Sequence, residues 1–444
     1  MSLRKENIVI FPFMAQGHII PFLALALQLE QRGYNITFVN TPLNIKKLES
    51  SLPPNSSVRL LEIPFNSSDH GFPPDIENTD VLPYTHIIRL LEASLSLKPA
   101  FRKLLSDLID QQGGVPPLCV IADIFFGWTA EVTHEFGVFH SIFSGASGFG
   151  LACYYSMWLN LPHWNTDSHE FSLPDFPEAV EELDKTGLNY FRRKLGRPVW
   201  SAGPILLPVD NRARSGKEAG ITPEQCIEWL DTKPPNSVLY ISFGSQNTIS
   251  ATQMMRLAKA LDASEKNFIW VVRPPLGFDI NAEFRAEEWL PEGFIQRAED
   301  QRRGLIVTNW APQVQILSHK STAAFLTHCG WNSVLEALSC GVPLIGWPMA
   351  AEQFFNAKIL EEEVGVCVEV ARGTNFDVRR EDIAEKIKLV MGENEKGMKM
   401  RRRACEVGDM IKDATRDEEG FKGSSVKGMD EFLNAAMLMK EKTT

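Results

Sequence analysis

The chain has 444 residues, of which 44% are hydrophobic, and a formal net charge of −11. That length allows two or three domains, each with its own core, and the acidic balance argues against broad binding to nucleic acid or anionic membrane. Its seven cysteines, at 119, 153, 226, 329, 340, 367 and 405, have neither the CxxC spacing of a zinc site nor the pattern of a disulfide framework, which fits a reducing compartment.

Arg4 and Lys5 precede an apolar run, but Gln16-Gly17-His18 interrupts it before any clean cleavage site. No later run is long enough to span a bilayer, so a cytoplasmic protein without membrane insertion is expected. Residues 7–13 have strand length and composition. Pro21 then opens a helix over 22–32, with Leu23, Ala24 and Leu27 at helix spacing and Gly33 ending it, and 34–40 is a second strand. This β-turn-α-β opening implies a parallel sheet with a right-handed crossover. It places His18 beyond the carboxyl end of the first strand, where open α/β sheets bind ligands; the plainer alternative is a helix cap. Amphipathic helices follow over 83–112, then a buried strand over 118–122 with Asp123 directly after it. On the same sheet edge, this carboxylate can orient a His18 base or merely cap the helix through Trp128 to Glu135.

A strand over 138–143 leads into Ser144-Gly145-Ala146-Ser147-Gly148. Tyr154, Tyr155 and Trp158 lie on a helix and are expected in the core more than in a binding wall. After Gly203-Pro204 a polar, charged stretch over 209–222 reads as a linker. A second βα-rich half begins with a helix over 224–230 and a strand over 237–242. The glycine turn Phe243-Gly244-Ser245-Gln246 follows, then a helix over 251–264 and strands over 268–273 and 305–308. Next comes a buried strand over 323–327, the turn His328-Cys329-Gly330 and a helix over 331–338. A strand, a glycine turn and a helix start present free N–H groups and a positive dipole end to a phosphate. Asn332 and Ser333 add donors there, and Glu336, one turn on, can accept from vicinal sugar hydroxyls. A strand over 365–370, a helix over 380–391 and final helices over 397–439 complete the chain. No internal repeat is apparent, and two βα-rich halves imply a ligand in a cleft between them.

The stretch from Trp310 to Gln353 resembles, nearly position by position, the signature box of plant family 1 UDP-glycosyltransferases. The resemblance implies an α/β fold of the GT-B type, with two Rossmann-type parallel-sheet domains facing across a cleft. They would be an acceptor-binding domain over 1–208, a linker over 209–222, a UDP-sugar domain over 223–425 and a terminal helix over 426–444 crossing back to the first. It implies that Trp310 stacks on uracil, with Ala311 and Gln313 at the base edge, and that Glu336 accepts from the ribose. His328, Asn332, Ser333 and Ser245 would hold the diphosphate. Trp331, Glu352 and Gln353 would bind the sugar, and Ser144 would touch the donor. Gln353 leans towards glucose, so UDP-glucose is the expected donor, with no cofactor and no metal. His18 and Asp123 would form the catalytic dyad of an inverting transferase, with Met14, Gly17 and Phe125 beside the acceptor. That acceptor would be a small molecule such as a flavonoid, phenolic, hormone or terpenoid, and the protein a monomer.

The sequence departs from the family pattern after Leu173-Pro174-Asp175-Phe176-Pro177. There Glu178-Ala179-Val180 runs straight into Glu181-Glu182-Leu183-Asp184, so the first domain is expected to be shortened. The alternative to an enzyme is therefore a UDP-sugar-binding protein without catalysis, or an inactive product. A dinucleotide oxidoreductase is disfavoured because Ala15-Gln16-Gly17-His18 lacks the Gly-rich fingerprint.

Overall fold

In the structure, a computed structural model, residues 5–83, 86–166, 172–173, 185–207 and 220–443 are described. The chain divides into two compact units: Met1–Gly145 with Ile205–Lys217 and Met429–Thr444, and Ala146–Pro204 with Glu218–Gly428.

The first unit is built on five parallel strands, β1 (Asn7–Phe11), β2 (Asn35–Asn40), β3 (Arg59–Glu62), β4 (Cys119–Asp123) and β5 (Phe139–Phe143), in the order β3-β2-β1-β4-β5. Strands β1 and β4 are buried along their whole length, which is why both read as unbroken apolar runs. Chain order reverses between them, with Phe11 opposite Ala122. This topological switch point opens a crevice at the carboxyl ends of the strands. The first helix, Gln16–Gln31, begins six residues before the expected start and carries Pro21 inside it. Proline lacks the N–H that would bond back to Gly17, so the helix gives up one hydrogen bond there. His18 therefore sits on the first helical turn. The end of the chain joins this unit through Arg32 Nη1–Asp430 Oδ1 at 2.6 Å and the Phe139–Phe432 ring contact.

Six parallel strands form the second unit's sheet: β6 (Val238–Ser242), β7 (Asn267–Val272), β8 (Gly304–Thr308), β9 (Thr322–Thr327), β10 (Leu344–Gly346) and β11 (Cys367–Glu369), in the order β11-β10-β9-β6-β7-β8. Alternation along β6 sends Leu239 and Ile241 into one core and Val238 and Tyr240 into the other. The switch point here lies between β6 and β9, so the turns after those two strands share one end of the sheet.

Ala146–Pro204, expected with the first half, groups with the second unit. Close packing through a glycine accounts for this. A Cβ on Gly150 would lie 2.2 Å from Asn356 Oδ1, and Phe149 packs on the second unit's core. Trp158, expected in a core, is 61% exposed, with Tyr154 edge-on to it. The expected shortening after Pro177 falls outside the described residues, as does most of the linker over 209–222. Among the described residues no helix is long and apolar enough to cross a membrane.

Candidate active site

In the first unit, His18 and Asp123 meet. Asp123 ends β4 and is wholly buried, and its Oδ2 lies 2.8 Å from His18 Nδ1. The same carboxylate accepts from the Phe13 N–H and the Phe125 N–H, both at 3.1 Å. Three donors hold its charge in the interior, which is how a buried carboxylate is tolerated. The plainer expectation, a cap on the helix Thr129–Glu135, is not met: Trp128 holds that position without a side-chain bond, and Asp123 Oδ1 instead caps the short turn Ile124–Phe126. His18 makes no cap, for Ala15 holds that position. Its side chain is 31% exposed, and Asp123 holds Nδ1, leaving Nε2 as the ring's other nitrogen.

Phe125 lies beside the imidazole, ring centroids 5.2 Å apart, and is 45% exposed. Gly17 is exposed too, and a Cβ there would meet open space. Met14 is different: it is fully buried in the first unit's core. Its expected place beside the acceptor is corrected to one inside that core, because adjacency in sequence does not decide which way a side chain packs. Ser144 follows β5 directly and belongs to this unit.

In the second unit, the turns after β6 and β9 close on each other around His328. A Cβ on Gly244 would lie 2.7 Å from the imidazole, and one on Gly330 2.4 Å from its Nε2. Gly244 also has a left-handed φ of 79°, so glycine is required there twice over. Burial, with the Arg273 charge adding to it, pushes the His328 imidazole down to about 4, leaving it a neutral hydrogen-bonding group at physiological pH. The Arg273 guanidinium itself donates to the Ser245 carbonyl. Gly330 caps the helix Trp331–Ser339 without a side chain, and no acidic residue lies in its first turn. Its dipole end is thus presented to an anion. Cys329 takes a left-handed φ of 61°, and Asn356 Nδ2 donates to its carbonyl at 3.1 Å.

Ribose-binding candidates form a network. Gln313 Nε2 donates to Glu336 Oε2 at 2.8 Å and to Ser333 Oγ at 3.1 Å. Gln313 opens the helix Gln313–Ser318, just after Trp310 and the buried Ala311. Gln353 Oε1 accepts from the Met349 and Ala350 N–H groups, both at 3.0 Å. Its amide is thereby turned so that Nε2 is the donor, and Glu352 precedes it as the helix N-cap. Trp331 is nearly buried against the core, while Asn332 is half-buried.

A family model described as "UDP-glucoronosyl and UDP-glucosyl transferase" matches residues 197–402. UDP-glycosyltransferase 92A1 of Arabidopsis thaliana is 49% identical, with 98% of each chain covered. The chain belongs to the plant family 1 UDP-glycosyltransferases. Crocetin glucosyltransferase 3 of Crocus sativus is 41% identical over 89% of this chain and 92% of that one. The solved structure of Glycyrrhiza uralensis UGT73P12, complexed with glycyrrhetinic acid 3-O-monoglucuronide, matches with a TM-score of 0.83 and 26% identity, covering 99% and 97% of the two chains. The fold is thus that of the GT-B plant glycosyltransferases, and the protein is an enzyme that transfers sugar from a UDP-sugar donor, without a cofactor, to an acceptor. Membership favours this over a protein that only binds UDP-sugar. The alignment with the Arabidopsis transferase runs over 486 positions against the 444 residues present here, so at least 42 of its positions have no counterpart in this chain.

Three residues that bond to the candidate site's residues and turns escaped the sequence reading. Tyr240 and Asn356 sit in apolar stretches and look like core. Arg273 closes a strand and looks like a surface charge. Only their partners in space distinguish them.

Proposed function

We propose that this glycosyltransferase transfers glucose from UDP-glucose, with inversion, to a hydroxyl of a small lipophilic plant metabolite such as a flavonoid, other phenolic, hormone or terpenoid. The observation that carries the reading is the His18–Asp123 pair, a part-exposed imidazole oriented by a buried, triply bonded carboxylate. Nε2 of His18 takes the acceptor proton as the acceptor oxygen forms its bond to the anomeric carbon. The bond from that carbon to the β-phosphate oxygen breaks, its electron pair stays on the diphosphate, and UDP departs. Asp123 stabilises the imidazolium as it forms. Charge growing on the leaving diphosphate is met by the N-terminus of Trp331–Ser339, the hydrogen bonds of His328, Asn332, Ser333 and Ser245, and the nearby Arg273 cation, so turnover proceeds without a divalent metal. Trp310 stacks on uracil beside Ala311, Glu336 holds the ribose, Trp331, Glu352 and Gln353 hold the hexose, and Ser144 touches the donor. Phe125 and Gly17 flank the acceptor. The enzyme works as a cytoplasmic monomer.

Incubating the protein with UDP-glucose and a panel of plant phenols and hormones, with products read by mass, tests the proposal. Hexose adducts that persist in EDTA are expected. Strict metal dependence, or adducts only with a uronic acid donor, would contradict it.

A further inference from the structure

We infer that Tyr240, a buried residue of β6, determines the enzyme's selectivity for a ribonucleotide donor by fixing the position of Gln313 and, through it, of Glu336. The inference rests on the reading of Glu336 as the ribose acceptor. An ionised carboxylate offers only acceptors, so the atom of Gln313 facing Glu336 Oε2 at 2.8 Å is Nε2. The same nitrogen donates to Ser333 Oγ. Gln313 Oε1 then points the other way and needs a donor, which the Tyr240 hydroxyl supplies at 3.2 Å. Tyr240 is 1% exposed, and its ring stacks on Phe325 of β9 with centroids 4.7 Å apart. Glu336 decides which way the amide faces, and a phenol held this firmly pins the amide's other end in place.

Removing the hydroxyl leaves Oε1 without that donor, and the half-buried side chain is then free to shift towards another one. A displaced amide carries Nε2 away from Glu336 Oε2 and lets the carboxylate leave its position. A carboxylate accepts at about four sites. The one held by Gln313 sets the plane in which the others are offered to the 2′- and 3′-hydroxyls. Tyr240 touches no substrate and is a positioning residue, acting on donor choice rather than on the transfer step.

The test compares UDP-glucose with 2′-deoxy-UDP-glucose as donors for the wild type, Tyr240→Phe, Glu336→Gln and the double variant. Tyr240→Phe keeps the ring and its stacking. The preference for the ribonucleotide, as a ratio of kcat/KM, should fall roughly three- to tenfold in Tyr240→Phe, mostly through KM for UDP-glucose. Glu336→Gln should remove most of the preference, and adding Tyr240→Phe to it should change nothing more. An unchanged ratio in Tyr240→Phe, or an equal loss for both donors, overturns the inference. A wild type indifferent to the 2′-hydroxyl, or a Glu336→Gln variant that keeps its preference, overturns instead the reading of Glu336.

Discussion

Asp123→Asn isolates the charge of the dyad with little change in shape. The carboxylate accepts from Phe13 N–H, Phe125 N–H and His18 Nδ1. Asparagine, with one acceptor oxygen, can serve the two donors at the Oδ2 position but turns its NH2 towards Phe125 N–H. That mismatch costs on the order of 1–3 kcal/mol of stability in the first unit. The catalytic loss has a different origin. In the transition state His18 gains a proton, and two unit charges about 4 Å apart attract by ~4 kcal/mol at an effective dielectric of ~20. A third of the His18 side chain is open to solvent, and screening reduces this to about 1.5–3 kcal/mol, the range of a charge-assisted hydrogen bond. At ~1.36 kcal/mol per decade, kcat should fall ~10- to ~150-fold. Loss of the base itself in His18→Ala should cost ~10²–10⁴-fold. Initial rates at saturating UDP-glucose, with thermal melts of each variant, measure both quantities. The reasoning is refuted if Asp123→Asn stays within about threefold of the wild type in kcat, or proves more damaging than His18→Ala.

Other outcomes follow from the same contacts. Gly244→Ala should raise KM for the donor and lower the melting temperature, because its Cβ would strike the His328 ring and its φ is 79°. Gly17→Ala, with open space at that point, should fold normally and change acceptor range instead; circular dichroism and an acceptor panel distinguish the two. Phe125→Ala should raise KM for aromatic acceptors while leaving KM for UDP-glucose within about twofold, since the ring flanks His18 and belongs to the first unit. Acid stability follows from His328 and His140, both pushed down to about 4, His140 by burial and His328 by burial and Arg273. Between their ordinary value near 6.5 and about 4 the unfolded chain binds protons that the folded chain does not, so stability falls as pH drops through that window. The loss amounts to at most about 3 kcal/mol per histidine, and chemical denaturation from pH 7 to 4 should lose part of its pH dependence in His140→Gln.

Much of the fold was legible because parallel strands buried on both faces read as short apolar runs between turn residues. Helix Ala251–Ser264 falls on its expected residues, for Ser250 and Gln253 form a reciprocal capping box at its start. The start of Gln16–Gln31 was misplaced because proline signals a helix beginning more often than an interior position. Strand β10, three residues long behind Pro343, is too short for any periodicity to declare it. At the site, His18 and Asp123 were recognisable from their places at strand ends, but the burial of Met14 was not. Nor was the extent of the first domain, since the close approach of Gly150 to Asn356 joins residues far apart in sequence. Tyr240 was hidden for a related reason. A hydroxyl inside an apolar strand shows its use only when the partner, contributed by a helix 73 residues away, is in view.

The central claim is that His18 is the base in an inverting transfer, and the configuration of the product tests it most directly. NMR of the glycoside made from the α-linked UDP-glucose should show only the β-anomer, with its formation lost in His18→Ala while UDP binding is kept. An α-glycoside, or wild-type rates in His18→Ala, would contradict the account.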